Sequence, residues 1–187
     1  MPAKIDLFIF MGLIASGKST LAEAWANNIG ASYYNSDRVR KELAGRQATA
    51  QQEPYNAGIY TPEFSRLTYD RLLILAEADL TSGKTVVLDG SYQARHERDR
   101  VRELSQRRDK IFKFVLCSCS DTVTKERLDI RANDPKAVSD GRWEIYLQQK
   151  EHFTFPAELG TEELINLNTE APVDELIGRL SEIGVDS

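Results

Sequence analysis

With 187 residues, 41% of them hydrophobic and 28% charged, the chain is long enough to close a core by burial alone. Its composition lies outside the disordered and membrane-spanning classes. A net charge of −5 argues against a long polyanion as the favoured ligand, because nucleic-acid binding gains affinity from a basic surface, although a local groove can still be positive.

Short apolar runs alternate with longer amphipathic segments, the pattern of strands and crossover helices in a parallel sheet, and the pattern repeats five times. The first strand is expected over 5–11, followed by a helix from about Gly17 to Asn28 with Leu21, Ala24, Trp25 and Ile29 on one face. A weaker strand over 31–35 leads into a short helix over 37–43 that Ser36 or Asp37 can cap. Residues 45–60, rich in Gln, Ala and Gly, read as a functional loop. Thr61-Pro62-Glu63 then opens a helix that runs to about Thr81, since a Thr cap, a first-turn proline and an early acid all suit free amide groups.

The β-branched run 85–89 predicts a strand buried on both faces, and a charged helix follows over 94–108. Next come a strand over 111–117, a helix over 121–130, a break at Asn133-Asp134-Pro135 and a helix over 140–153. A last strand over 164–168 and a last helix over 173–183 complete the chain. The expected architecture is α/β: a three-layer α/β/α sandwich around a five-stranded parallel sheet, in one domain spanning 1–187. Cys117 and Cys119 alternate along the fourth strand without partners elsewhere, and neither they nor His96 and His152 reproduce a zinc spacing. The apolar runs are too short to cross a bilayer, and no basic segment followed by a long apolar stretch opens the sequence. A reduced cytoplasm and no membrane are the expectation.

Gly12-Leu13-Ile14-Ala15-Ser16-Gly17-Lys18-Ser19 is the phosphate-binding pattern of two glycines spaced by four residues, then Lys and Ser. Gly12 permits a sharp exit from the strand, and the chain from Ala15 through Ser16 and Gly17 to Lys18 turns its amides inward as an anion cup. The helix beginning there adds positive partial charge, Lys18 can reach the β- and γ-phosphates, and the Ser19 hydroxyl can ligate magnesium. Thr20 follows on the same lip. The motif sits directly after an apolar strand and before an amphipathic helix, which is its confirming context. ATP and Mg²⁺ are therefore the expected nucleotide and metal.

Such a loop serves ATPases, GTPases and kinases alike. The chain has no Asn-Lys-x-Asp segment for guanine. Asp37 and Asp89 follow the second and third strands, and ligands of open parallel sheets lie at those carboxyl ends. Asp37 is thus a candidate base for a substrate hydroxyl or else a helix cap, and Arg40 one turn on is a candidate acceptor contact. Asp89 either orders magnesium through water, binds the acceptor, or forms a strand-end turn. Arg127 and Arg131, four apart, read as a lid around 121–140 closing on the γ-phosphate, or as a solvated helix face. Tyr55 and Tyr60 either line the acceptor pocket or pack.

Together the segments 12–22, 35–43, 60–63 and 86–91, with the two arginines of 121–131, resemble the zeta-toxin and polynucleotide-kinase branch of P-loop kinases, the AAA_33 type. The closer resemblance is to ATP-binding kinase modules fused behind aminoglycoside-phosphotransferase-like domains. It implies a nucleoside-monophosphate-kinase-like fold, ATP as donor and a hydroxyl as acceptor. It also implies Asp37 as general base, Arg40 and Asp89 on the acceptor side, and Arg127 and Arg131 as lid arginines. The expected activity is phosphoryl transfer to a small-molecule hydroxyl. A polynucleotide 5′-kinase and an ATP-hydrolysing regulatory module are the alternatives.

Overall fold

A computed structural model of the chain describes residues 4–45, 58–132 and 142–185. Five parallel strands form one sheet in the order β2-β3-β1-β4-β5. They are β1 (Leu7–Met11), β2 (Ser32–Asn35), β3 (Val86–Asp89), β4 (Phe112–Ser118) and β5 (Leu164–Asn168). The central strand β1 pairs with β3 through Leu7↔Val86 to Phe10↔Asp89 and with β4 through Leu7↔Phe112 to Met11↔Leu116. Every residue of β1 and of β3 is buried, as expected of strands covered on both faces.

Alternation along the strands builds two cores. Leu7, Ile9 and Met11 of β1 face α3 (Pro62–Thr81) and α4 (Arg95–Arg107), meeting Leu72, Ala76 and Leu80 of the former and Val101 and Leu104 of the latter. Phe8 and Phe10 face the opposite layer, formed by α1 (Lys18–Ile29) and α7 (Val173–Val185), through Leu21, Ala22, Trp25, Leu176 and Leu180. Phe8 and Trp25 meet edge to face, with ring centroids 5.4 Å apart. Each fully buried large apolar side chain contributes about 1.5–3 kcal/mol, so these two layers carry most of the folding energy.

The remaining helices position the site. The helix α2 (Ser36–Leu43) is capped neither by Ser36 nor by Asp37, correcting the sequence expectation: Asn35 is the cap, its side chain accepting from the Arg38 N–H at 3.0 Å. Asparagine ranks among the best caps, and ending the strand at Asn35 starts the helix one residue early. At α3, Thr61 caps as expected, with Pro62 in the first turn. The helices α5 (Asp121–Ala132) and α6 (Trp143–His152) form a smaller cluster in which Leu128 and Tyr146 pack with Ala15, Leu13 and Ile14. That cluster presses both helices onto the turn after β1. The expected break at 133–135 and most of the loop 45–60 lie outside the described residues. Among the described residues, no helix is long and apolar enough to cross a membrane.

Candidate active site

The turn after β1 has the shape of an anion cup. Gly12 has φ +144°, and a Cβ there would come within 2.4 Å of the Cys117 carbonyl oxygen, so only glycine passes β4 so closely. Ala15 and Gly17 also have positive φ, 57° and 81°, and the Ser16 N–H closes the turn onto the Leu13 carbonyl at 3.2 Å. Gly17 is the N-terminal cap of α1 and supplies no side-chain acceptor, so the first amides of that helix are left for another oxygen-bearing group. Lys18 folds over the turn, its Nζ donating to the Leu13 carbonyl at 3.3 Å. Ser19 is half-buried and Thr20 exposed on the same lip.

The outer wall of the turn is braced by groups far away in sequence. Arg127 of α5 donates through Nη1 to the Ala15 carbonyl (3.3 Å) and the Thr169 hydroxyl (3.2 Å), and through Nη2 to the Thr169 carbonyl (2.6 Å). The Thr169 hydroxyl in turn donates to the Ser16 carbonyl at 2.5 Å. Gln149 of α6 accepts from the Ile14 N–H at 2.9 Å. The structure therefore holds Arg127 against the turn and the segment after β5. Arg131, one turn further along α5, is half-buried. Thr169 and Gln149 carried no spacing signal in the sequence; only the rule that strand carboxyl ends build sites points to Thr169.

On the other side of the turn lie the acidic groups. Asp89 is fully buried at the end of β3. Its Oδ2 accepts from Tyr33 Oη at 2.8 Å and from Asn35 Nδ2 at 2.5 Å, while Oδ1 has no hydrogen-bond partner among the described residues. Asp37 lies in the first turn of α2, its Oδ1 3.9 Å from Arg40 Nε. Arg40 is buried, and Nη1 donates to the Ile59 carbonyl and the Ser65 hydroxyl, both at 3.0 Å, with the guanidinium 5.0 Å from the centre of the Tyr60 ring. Arg40 and Tyr60 thus join α2 to the start of α3. Tyr55 falls outside the described residues.

Hard oxygen donors suit magnesium, and two are at hand: the Ser19 hydroxyl in the first turn of α1 and, at the end of β3, the Asp89 Oδ1, which has no partner among the described residues. Behind the turn is a cavity of about 270 Å³ lined by Leu13, Ser16, Cys117, Cys119 and Tyr146 among others. Burial pushes the Cys117 thiol up to about 12, so it stays protonated and behaves as a small apolar group.

Residues 7–156 match the AAA_33 family, described as an AAA domain. An uncharacterized protein of Mycobacterium tuberculosis (strain ATCC 25618 / H37Rv) is 29% identical over 131 residues, 70% of this chain but 26% of that relative. The chain thus spans about a quarter of the length of the curated relatives it matches. A sugar kinase from Janibacter sp. HTCC2649 superposes with a TM-score of 0.67 at 20% identity, covering 97% of this chain and 95% of its own. A gluconokinase from Sinorhizobium meliloti 1021 gives 0.63 at 20% identity, covering 97% of both chains. The Mycobacterium tuberculosis APS kinase in complex with AMPPNP and APS gives 0.62 at 18% identity, covering 100% of both. These similarities establish a shared fold: a five-stranded parallel sheet with flanking helices, as in P-loop kinases.

Proposed function

The chain belongs to the AAA_33 family, described as an AAA domain, and from that premise we propose that it is an ATP-dependent kinase acting on a hydroxyl of a small molecule. The observation that carries the reading is the turn after β1, whose positive-φ glycines, uncapped helix amides and overlying Lys18 form a receptor for a triphosphate. The kinase names of the superposed structures and the net charge of −5 support a small acceptor over a polynucleotide.

In this reading the amides of Ala15 and of Gly17 to Thr20 hold the β- and γ-phosphate oxygens, while the Ser16 amide keeps the turn closed and the Lys18 ammonium leaves the Leu13 carbonyl to pair with the phosphates. Ser19 and Asp89 would hold Mg²⁺, which when bound neutralises the β- and γ-phosphate oxygens. The acceptor oxygen attacks the γ-phosphorus, the bond from that phosphorus to the β–γ bridging oxygen breaks, and ADP leaves. Asp37 takes the proton of the acceptor hydroxyl. Arg40 acts as a positioning residue, fixing the Asp37 carboxylate from 3.9 Å away while anchored to Ile59 and Ser65. Arg127 holds the turn in its receiving shape, and Arg131 adds positive charge on the same helix. Tyr60 borders the acceptor side.

The test incubates the protein with γ-labelled ATP, magnesium and separate pools of sugars, nucleotide sugars, aminoglycosides and 5′-hydroxyl oligonucleotides. Label is expected in one small-molecule pool, and Asp37→Asn should lower that transfer about 10²- to 10⁴-fold with ATP affinity retained. Label found only as free phosphate, with no change in the variant, overturns the kinase reading in favour of an ATP-hydrolysing module.

A further inference from the structure

Among the described residues, Asp89 is held by two donors on one oxygen and by none on the other. The strands β2 and β3 run parallel in the register Tyr33↔Val87 and Asn35↔Asp89, so Tyr33, Asn35 and Asp89 project to the same face of the sheet. That face also carries Val87 and Phe10, the latter directly opposite Asp89 on β1, and it is the face covered by α1. Asp89 therefore points toward the layer whose first residues are Lys18 and Ser19.

A carboxylate oxygen offers about two lone pairs, and Asp89 Oδ2 spends them on Tyr33 Oη and Asn35 Nδ2. Buried acceptors are as a rule paired, yet Oδ1 is buried and has no partner among the described residues. Burial and then the charge of Asp89 push the Tyr33 phenol well above its usual range, so it remains a donor. The Asn35 amide bonds at both ends, its oxygen capping α2 while its nitrogen holds Asp89, which ties the carboxylate to the helix that carries Asp37.

We propose that Tyr33 and Asn35 are positioning residues that hold the Asp89 carboxylate with Oδ1 free to accept a divalent cation or its bound water beside the nucleotide phosphates. The proposal rests on the Mg²⁺–ATP reading above and deepens it by assigning the groups that set the metal-side oxygen. Orienting partners of this kind typically change metal affinity by about 10- to 100-fold when removed.

The experiment titrates Mn²⁺ by electron paramagnetic resonance into the protein saturated with a non-hydrolysable ATP analogue. It compares wild type with Tyr33→Phe, which keeps the ring, and Asn35→Ser, which keeps a capping oxygen but does not reach Asp89. Each variant is expected to weaken Mn²⁺ binding about tenfold, with analogue affinity in EDTA unchanged. Tyr34→Phe is the control, because it removes an equivalent phenol-to-carboxylate bond, to Asp79 at 2.6 Å, away from the site. Mn²⁺ affinity equal to wild type in both variants, or weakened equally in Tyr34→Phe, overturns the proposal while leaving the kinase reading intact. Failure of the wild type to bind the analogue, with or without Mn²⁺, removes the underlying reading and the proposal with it.

Discussion

Arg127 and Thr169 stand 42 residues apart and meet twice: the guanidinium donates to the threonine carbonyl at 2.6 Å and to its hydroxyl at 3.2 Å. The hydroxyl passes the contact on to the Ser16 carbonyl at 2.5 Å, so α5, the segment after β5 and the turn after β1 are joined by one chain of hydrogen bonds. A hydrogen bond from a charged donor is worth about 1.5–3 kcal/mol when its partners are desolvated.

Breaking that chain should loosen the turn from either end. Arg127→Ala and Thr169→Val are each expected to lower stability by about 1–3 kcal/mol and to weaken nucleotide binding. Because the two residues share partners, the double variant should lose less than the two single losses added, by about 0.5–3 kcal/mol. Denaturant unfolding of the four proteins measures the difference, and strict additivity would show that the residues act independently.

The two glycines at the ends of α1 should behave differently when each is replaced by alanine. At Gly17 the added Cβ would lie 2.9 Å from Arg127 Nη1 and from the Thr169 hydroxyl, on backbone with φ +81°. At Gly30 the φ is +65° but nothing lies within 4 Å. Gly30→Ala is expected to cost about 1–2 kcal/mol of backbone strain with nucleotide binding unchanged. Gly17→Ala should lose nucleotide binding as well, because the new methyl displaces the brace on the turn. Calorimetric titration of an ATP analogue into both variants separates the two effects.

Stability should also carry a signature of Asp79 at low pH. Hydrogen bonds from Lys84, Ser32 and Tyr34 hold its carboxyl at about 2, below the 3.8 of an unperturbed aspartate. A depressed carboxylate stabilises the fold in full above its unfolded value and ceases to do so as pH falls through the folded one. The melting-temperature gap between wild type and Asp79→Asn should therefore be constant above about pH 4 and close as pH falls toward 2. A gap that persists unchanged at pH 2 would show that the ion pair does not supply it.

The sheet was legible because fully buried parallel strands read as short apolar runs, such as Leu7–Met11 and Val86–Asp89, while crossover helices keep a helical period. The shape of the turn after β1 was legible for a stronger reason: close passage by the Cys117 carbonyl demands glycine at 12, the first position of the motif. What stayed hidden depends on strand order. The Asn35 and Asp89 contact spans 54 residues and exists only because β2 pairs with β3. Arg40 read as a candidate acceptor contact, but a charged residue on a short amphipathic helix gives no hint that a later segment, Ile59 to Ser65, will bury it. The Asn35 cap was readable in principle, but a strand run through that residue concealed it.

The central claim is that the turn from Gly12 to Thr20 binds the phosphates of ATP with Lys18 as its cation. Calorimetric titration of a non-hydrolysable ATP analogue with Mg²⁺ into wild type and Lys18→Met measures this directly. Saturable one-to-one binding by wild type, weakened at least about tenfold in the variant as expected for loss of a charge-assisted contact, is the predicted result. Equal affinity in the two proteins, or no heat of binding from wild type, would contradict it.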